Sequence, residues 1–269
     1  MERRAFLNSS FAATALGISG AQPAVAALPE VPEATGREFY QLRRYSLTNG
    51  PQRKLCNDFF RDALIPALNR LEIAPVGVFD LTIGPETPSI YVLMPSLKLE
   101  TLATVETKLA QDAEYMKAGT AFLNAPATAP AFVRMESALL QAFEKMPRLQ
   151  LPPATTAKGP RIFELRSYES PSDQDHRRKV EMMQSGEQKI FADAGFFQVF
   201  YGDMIVGPRM PNLTYLLSYE SVADRDKRWG AFVSDPAWKK MTADPRYSFE
   251  EIVSKITNVI LTPTSYSQI

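Results

Sequence analysis

The segment Phe39-Tyr40-Gln41-Leu42-Arg43-Arg44-Tyr45 returns 123 residues later as Ile162-Phe163-Glu164-Leu165-Arg166-Ser167-Tyr168. At the same offset Val76, Asp80, Gly84, Pro85, Pro88 and Leu93 meet Val199, Asp203, Gly207, Pro208, Pro211 and Leu216. A match that runs through strand and turn positions alike restricts the chain to one unit written twice. With 269 residues, 45% of them hydrophobic, each copy can bury a core of its own.

The pattern inside each copy is consistent. In Phe39–Tyr45 apolar and polar residues alternate, which puts Tyr40 and Leu42 on one face of a strand and Gln41, Arg43 and Tyr45 on the other. Asn49-Gly50-Pro51 turns the chain into a helix with an apolar stripe of Leu55, Phe59, Ala63, Ala67 and Leu71, kinked at Pro66. Pro75–Ile83 and Ile90–Leu93 flank a Gly-Pro turn and read as a hairpin. A helix over Leu97–Lys117, with stripe Leu102, Val105, Leu109 and Met116, and a strand over Met135–Phe143 complete the copy. In the second copy a helix over His176–Ala194 carries the stripe Val180, Met183, Glu187, Ile190 and Ala194, from which Glu187 is expected to lean to the rim. The hairpin Gln198–Val206 and Leu213–Tyr219, a helix opened by Ser221 and Asp224, one opened by Asp235-Pro236, and the β-branched run Thr257–Thr262 follow.

Strand, helix, hairpin, helix, strand is the βαββαβ arrangement, so the expected fold class is α+β, with tandem ferredoxin-like units over residues 37–145 and 161–269. Residues 146–160 hold four prolines and read as the linker. Helices cover one face of such a sheet. Packing the bare faces against each other gives a pseudo-symmetric barrel from one chain.

Both first strands carry a polar triplet, Gln41-Arg43-Tyr45 and Glu164-Arg166-Tyr168, and buried charges of this kind need partners. Two readings follow. In one, Arg43 and Arg166 bind carboxylates such as Asp80, Asp203 or Glu164 and hold the register. In the other, Arg43, Tyr45, Glu164, Arg166, Tyr168 and Asp203 line a cavity between the sheets and grip a small anionic, carbonyl or apolar ligand.

The remaining signals mostly exclude. Thirty basic residues balance thirty acidic ones, which gives no electrostatic reason for a nucleic-acid partner. One cysteine, Cys56, and one histidine, His176, leave no metal site to propose, and phosphate loops and nucleophile elbows are absent, so no cofactor is expected. His176 stands among charges and reads as a surface residue; Cys56 reads as a small core residue. At the N-terminus Arg3 and Arg4, followed by Phe6 and Leu7, precede an apolar run closed by Ala24-Val25-Ala26. This is the grammar of a twin-arginine export signal over residues 1–26, with a tether over 27–36. It predicts a periplasmic or secreted protein with no membrane span once the signal is removed, alone or as a homo-oligomer.

Phe163-Glu164-Leu165-Arg166-Ser167-Tyr168 and its partner Gln41-Leu42-Arg43-Arg44-Tyr45, the Gly-Pro hairpins, and Asp235-Pro236-Ala237-Trp238 resemble the NIPSNAP family of the dimeric α/β-barrel superfamily. The first copy departs from the family where Gln111-Asp112-Ala113-Glu114-Tyr115 replaces the Asp-Pro-Ala-Trp start. The resemblance implies the barrel and is nearly silent about chemistry. Superfamily relatives include cofactor-independent monooxygenases, isomerases and haem-degrading enzymes, so it permits an enzyme acting on a small aromatic or unsaturated substrate. The residues themselves lean toward a binding or interaction role.

Overall fold

Eight antiparallel strands form one closed barrel in the order β1-β3-β2-β8-β5-β7-β6-β4. The computed structural model describes residues 36–48 and 50–269. The expected signal peptide and nearly all of the tether lie outside the described residues. The strands are β1 (Phe39–Ser46), β2 (Gly77–Ile83), β3 (Ser89–Ser96), β4 (Arg134–Ala142), β5 (Ile162–Glu169), β6 (Phe197–Val206), β7 (Asn212–Tyr219) and β8 (Lys255–Pro263).

Around the barrel the first half runs β4-β1-β3-β2 and the second runs β8-β5-β7-β6, the same order in each. The halves are joined by hydrogen bonds between their edge strands. β2 pairs with β8 through Phe79–Pro263 and Leu81–Leu261, and β4 pairs with β6 through Leu140–Met204 and Ala142–Gly202. The expected barrel from one chain is present, and it closes through hydrogen-bonded edges rather than by face-to-face packing of two separate sheets. Each half would present two unpaired edges, and joining edge to edge satisfies those backbone groups as well as hiding the bare faces. Gly36–Ile269 behave as one compact unit in consequence.

Three cores result. Inside the barrel Tyr40, Phe79, Leu93, Leu140, Phe163, Phe200, Leu216 and Leu261 fill the lumen, with Phe79 and Phe163 edge to face at 4.9 Å between centroids. Outside it, each half packs its own helices on the outer face of its own four strands. Gly202 lies in the lumen wall where a Cβ would approach that of Leu140 to 2.9 Å, so the seam needs glycine there.

The helices show where propensity and context part. Gly50, at φ 94°, makes the turn into the helix that Pro51 opens. Ser172, Ser221 and Asp235 cap their helices by accepting from the backbone N–H of Asp175, Asp224 and Ala237. The expected kink at Pro66 is instead a π-helical turn over Phe60–Leu64, continued by the helix Ile65–Arg70. The same turn recurs over Met183–Glu187, where no proline is present, so proline is not its cause. The single helix expected over Leu97–Lys117 is a chain of short helices, Leu99–Ala103, Val105–Leu109, Ala113–Ala118 and Thr120–Leu123. Thr104 bonds back to the Glu100 carbonyl, and Asp112 caps a fresh start at Tyr115. The break shifts the phase, so Tyr115 is buried and Met116 is 41% exposed.

Phe163 sits at the centre of the lumen with no exposed surface. Phe163→Ala is expected to lower stability by about 3–5 kcal/mol in guanidinium denaturation; a loss under about 1 kcal/mol would mean that the lumen tolerates a void there.

Candidate functional site

Strand alternation decides what looks inward. Along β1, Tyr40, Leu42 and Arg44 face the lumen, whereas Gln41, Arg43 and Tyr45 face the helices; along β5, Phe163, Leu165, Ser167 and Glu169 face the lumen. The residues expected between the sheets, Arg43, Tyr45, Glu164, Arg166, Tyr168 and Asp203, thus lie on the outer face, under or beside the helices. Both faces of the sheet are covered, so alternation separates the faces without saying which is inside.

On the outer face of the second half Glu164 has no exposed surface and accepts five donors. Arg166 Nη1, Arg225 Nη2 and Asn258 Nδ2 reach Oε1 at 2.9, 2.7 and 3.1 Å, while Tyr219 Oη and Trp229 Nε1 reach Oε2 at 3.0 and 2.9 Å. Burial alone would raise its pKa. The Arg225 bond, the Arg166 charge and the Trp229 bond outweigh that and hold the carboxyl down at about 2. Arg166 also donates to the hydroxyls of Tyr215 and Tyr168 at 3.0 and 3.1 Å and lies 4.5 Å from the Trp229 ring centroid. The expected Arg166–Glu164 pair therefore exists. Asp203 instead meets His176 Nε2 at 2.6 Å and Asp80 meets Arg53 at 2.8 Å, while Arg43 pairs with Glu106 at 2.7 Å.

His176 is buried, a correction to its reading as a surface residue: its charged neighbours point away around the helix while its own ring turns inward to Asp203. Glu187 does not lean to the rim either. It is 1% exposed and pairs with Lys179, also 1% exposed, at 2.6 Å. Cys56 is a buried core thiol, pushed up to about 12 by burial.

The repeat supplies an internal comparison. At the positions of Lys179, Glu187, Tyr201 and Tyr215 the first half has Cys56, Leu64, Val78 and Val92, all buried in its apolar core. At these four positions the layer is therefore apolar in one half and holds an ion pair in the other. A buried pair seldom adds net stability over an apolar replacement. The offset of 123 residues was the signal that could have found Lys179.

The lumen is filled at one end and open at the other. A cavity of 260 Å³ lies between the two halves, under the β2–β3 and β6–β7 turns. Leu42, Ala138, Leu165, Met204 and Val259 line its floor, and Arg44, Tyr91, Glu136, Ser167, Glu169 and Thr214 are among the polar groups on its wall. Arg44 Nη2 reaches Glu136 at 2.6 Å and Glu86 at 3.1 Å, and Arg134 braces both carboxylates from the rim at 3.3 and 3.2 Å. Burial pushes the Tyr91 phenol up, partly offset by the Arg44 charge. Across the lumen Ser167 and Thr214 share a hydrogen bond of 2.7 Å, and Thr214 donates to Asn212 Oδ1 at 3.3 Å. Glu86 and Arg209, one in each turn and 123 residues apart, hold left-handed φ of 61° and 63°. Non-glycine residues take that conformation at some cost, and here it recurs at both sides of the cavity mouth.

Among the described residues no His, Cys, Asp and Glu cluster is placed to hold a metal, and no helix is long and apolar enough to cross a membrane.

A closed eight-stranded antiparallel barrel with helices outside defines an α+β barrel fold. Among solved structures, a protein described as a candidate monooxygenase from Lactobacillus acidophilus aligns over 84% of this chain and 94% of its own, at 9% identity and a TM-score of 0.54. One described likewise from Fusobacterium nucleatum aligns over 85% and 93%, at 7% identity and 0.55. These likenesses concern the fold. Residues 163–268, in the second half of the chain, match the family model NIPSNAP. An uncharacterized NIPSNAP-like domain protein from Burkholderia xenovorans aligns over 40% of this chain and 88% of its own, at 21% identity and 0.36. No curated protein matches the chain.

Two outcomes follow from the outer layer. Lys179→Met alone strands the Glu187 carboxylate and is expected to cost about 3–5 kcal/mol in urea denaturation, whereas Lys179→Met with Glu187→Leu returns to within about 1–2 kcal/mol of wild type. Additive losses in the double variant would contradict this. For Glu164 the folded pKa lies below the ordinary 4.5, so its stabilisation is complete above 4.5 and is lost as pH falls through about 2. At about 1.4 kcal/mol per unit, roughly 3 kcal/mol rides on that window. The stability gap between wild type and Glu164→Gln should narrow on acidification across it, as measured by denaturation at each pH.

Proposed function

We propose that the protein binds a small, largely apolar molecule in the lumen cavity between its two halves, as an exported binding protein built from two ferredoxin-like copies. One observation carries the reading: an eight-stranded barrel is normally filled by its own side chains, and this one is filled at one end only. At interior packing density the space takes roughly ten non-hydrogen atoms. An apolar floor with a few converging polar groups is the ordinary form of a ligand pocket. The export signal of residues 1–26 supports a ligand met outside the cytoplasm.

A second reading, a cofactor-independent monooxygenase or isomerase, draws on the outer layer of the second half. Arg166, Tyr168 and Tyr215 there could stabilise an enolate-like oxygen. The sheet separates that cluster from the cavity, so the two readings concern different sites.

The lumen reading is tested by filling the cavity. Native mass spectrometry of protein purified from the periplasm is expected to show a retained small molecule, and phenethyl alcohol to raise the thermal midpoint. Both effects should vanish in Leu165→Trp and in Ser167→Phe, with folding checked by circular dichroism. A midpoint shift that persists in the filled variants places the ligand elsewhere.

A further inference from the structure

We infer that the ligand of the lumen cavity is an uncharged carbonyl compound whose oxygen is held by Tyr91 and Arg44; the inference rests on the lumen reading and adds the chemical class.

The repeat shows which wall has donors to offer. Arg44 and Tyr91 are register partners across β1 and β3, and their counterparts 123 residues on, Ser167 and Thr214, are register partners across β5 and β7. In the second half these positions are saturated. Asn212 gives both amide hydrogens to the carbonyls of Pro208 and Arg209, at 3.1 Å each, so its Oδ1 takes the Thr214 hydrogen at 3.3 Å, and Thr214 takes that of Ser167 at 2.7 Å. This chain of hydroxyls has no hydrogen left to give.

The first half is open at the same place. Arg44 reaches Glu136 through Nε at 3.0 Å and Nη2 at 2.6 Å, and Glu86 through Nη2 at 3.1 Å, which leaves the hydrogens of Nη1. A guanidinium can only donate, so beside the Tyr91 oxygen it leaves the phenol hydrogen unclaimed, and burial keeps that phenol protonated. No carboxylate, amide or carbonyl among the described residues takes either donor, neither atom is sealed from solvent, and both side chains line the cavity.

Charge then decides between a carbonyl and a carboxylate. Arg44 and Arg134 stand against Glu86 and Glu136, two against two, so the guanidinium charge is already matched. An anion at Nη1 would meet two fixed carboxylates beside its seat. A carbonyl oxygen brings two lone pairs and no charge, one for each donor, and a hydrogen bond from a guanidinium is among the stronger ones. The floor of Leu42, Leu165 and Val259 takes a short hydrocarbon or aryl group, which makes the class a small aryl or alkyl ketone.

Titration calorimetry on the full-length protein with acetophenone, ethylbenzene and benzoate tests this, together with the infrared spectrum of bound acetophenone isotope-labelled at its carbonyl. The ketone is expected to bind about tenfold or more tighter than benzoate, with its carbonyl stretch at or below the frequency in water. Tyr91→Phe, verified as folded by its thermal midpoint, should weaken the ketone about fivefold or more, raise the stretch toward its value in alkane and leave ethylbenzene unchanged. An alkane-like stretch in the wild-type protein, an unchanged ketone affinity in Tyr91→Phe, or benzoate bound as tightly as the ketone would overturn the inference while the cavity remains a binding site. If none of the three binds, the lumen reading falls and takes this inference with it.

Discussion

The fold depends on two seams of backbone hydrogen bonds, β2 with β8 and β4 with β6. A four-stranded sheet covered on one side has two problems, an exposed apolar face and two unpaired edges, and the first is usually emphasised. Joining edges solves both, because closure buries the inner faces in one lumen at the moment the edges pair. The seams also explain why the halves do not behave as separate domains. Gly202 serves the same end, since any side chain there would press on Leu140 across a seam.

Closure sorts every strand residue into lumen or helix layer, and the two environments receive different chemistry. The lumen takes aromatic rings at its filled end and a polar ring at its mouth. The helix layer of the first half buries one arginine, Arg43, whereas that of the second encloses Lys179 with Glu187, and Arg166 among tyrosines around Glu164. Since the first half builds the same layer with Cys56 and Leu64 in place of Lys179 and Glu187, that ion pair is not explained by folding alone. The strongly held Glu164 nevertheless has a structural use: three of its five donors, Arg225, Trp229 and Asn258, come from outside β5 and β7 and tie the helix Val222–Ser234 and β8 to the sheet.

The element order, the hairpins and the caps at Ser221 and Asp235 were legible in the sequence, because local periodicity and turn chemistry carry them. The inward face was not. Alternation in Phe39–Tyr45 marks two faces, but both are buried, so the triplet Gln41-Arg43-Tyr45 looked like the face toward a cavity while Arg44, which does face it, passed unnoticed. His176 was misjudged from its neighbours in sequence, although helical neighbours point in different directions. Glu187 stood on the apolar stripe in plain view; what helical periodicity could not supply was Lys179 opposite it, eight residues away through a π-helical turn.

Having both halves in one chain changes what the cavity can be. In a barrel assembled from two identical chains the mouth lies on a symmetry axis, and every residue on one wall is repeated on the other. A lone charge there would face its own copy, and like charges at close range oppose each other's ionisation. Here the equivalent positions have diverged: Arg44 opposes Ser167, Tyr91 opposes Thr214, Glu86 opposes Arg209 and Ser46 opposes Glu169. The first half contributes a ring of paired charges around Arg44, and the second contributes hydroxyls and an amide. A symmetric mouth would recognise a symmetric ligand or none in particular. Covalent linkage of the halves is what permits a wall with a charged side and a neutral side, and hence a ligand held in one orientation.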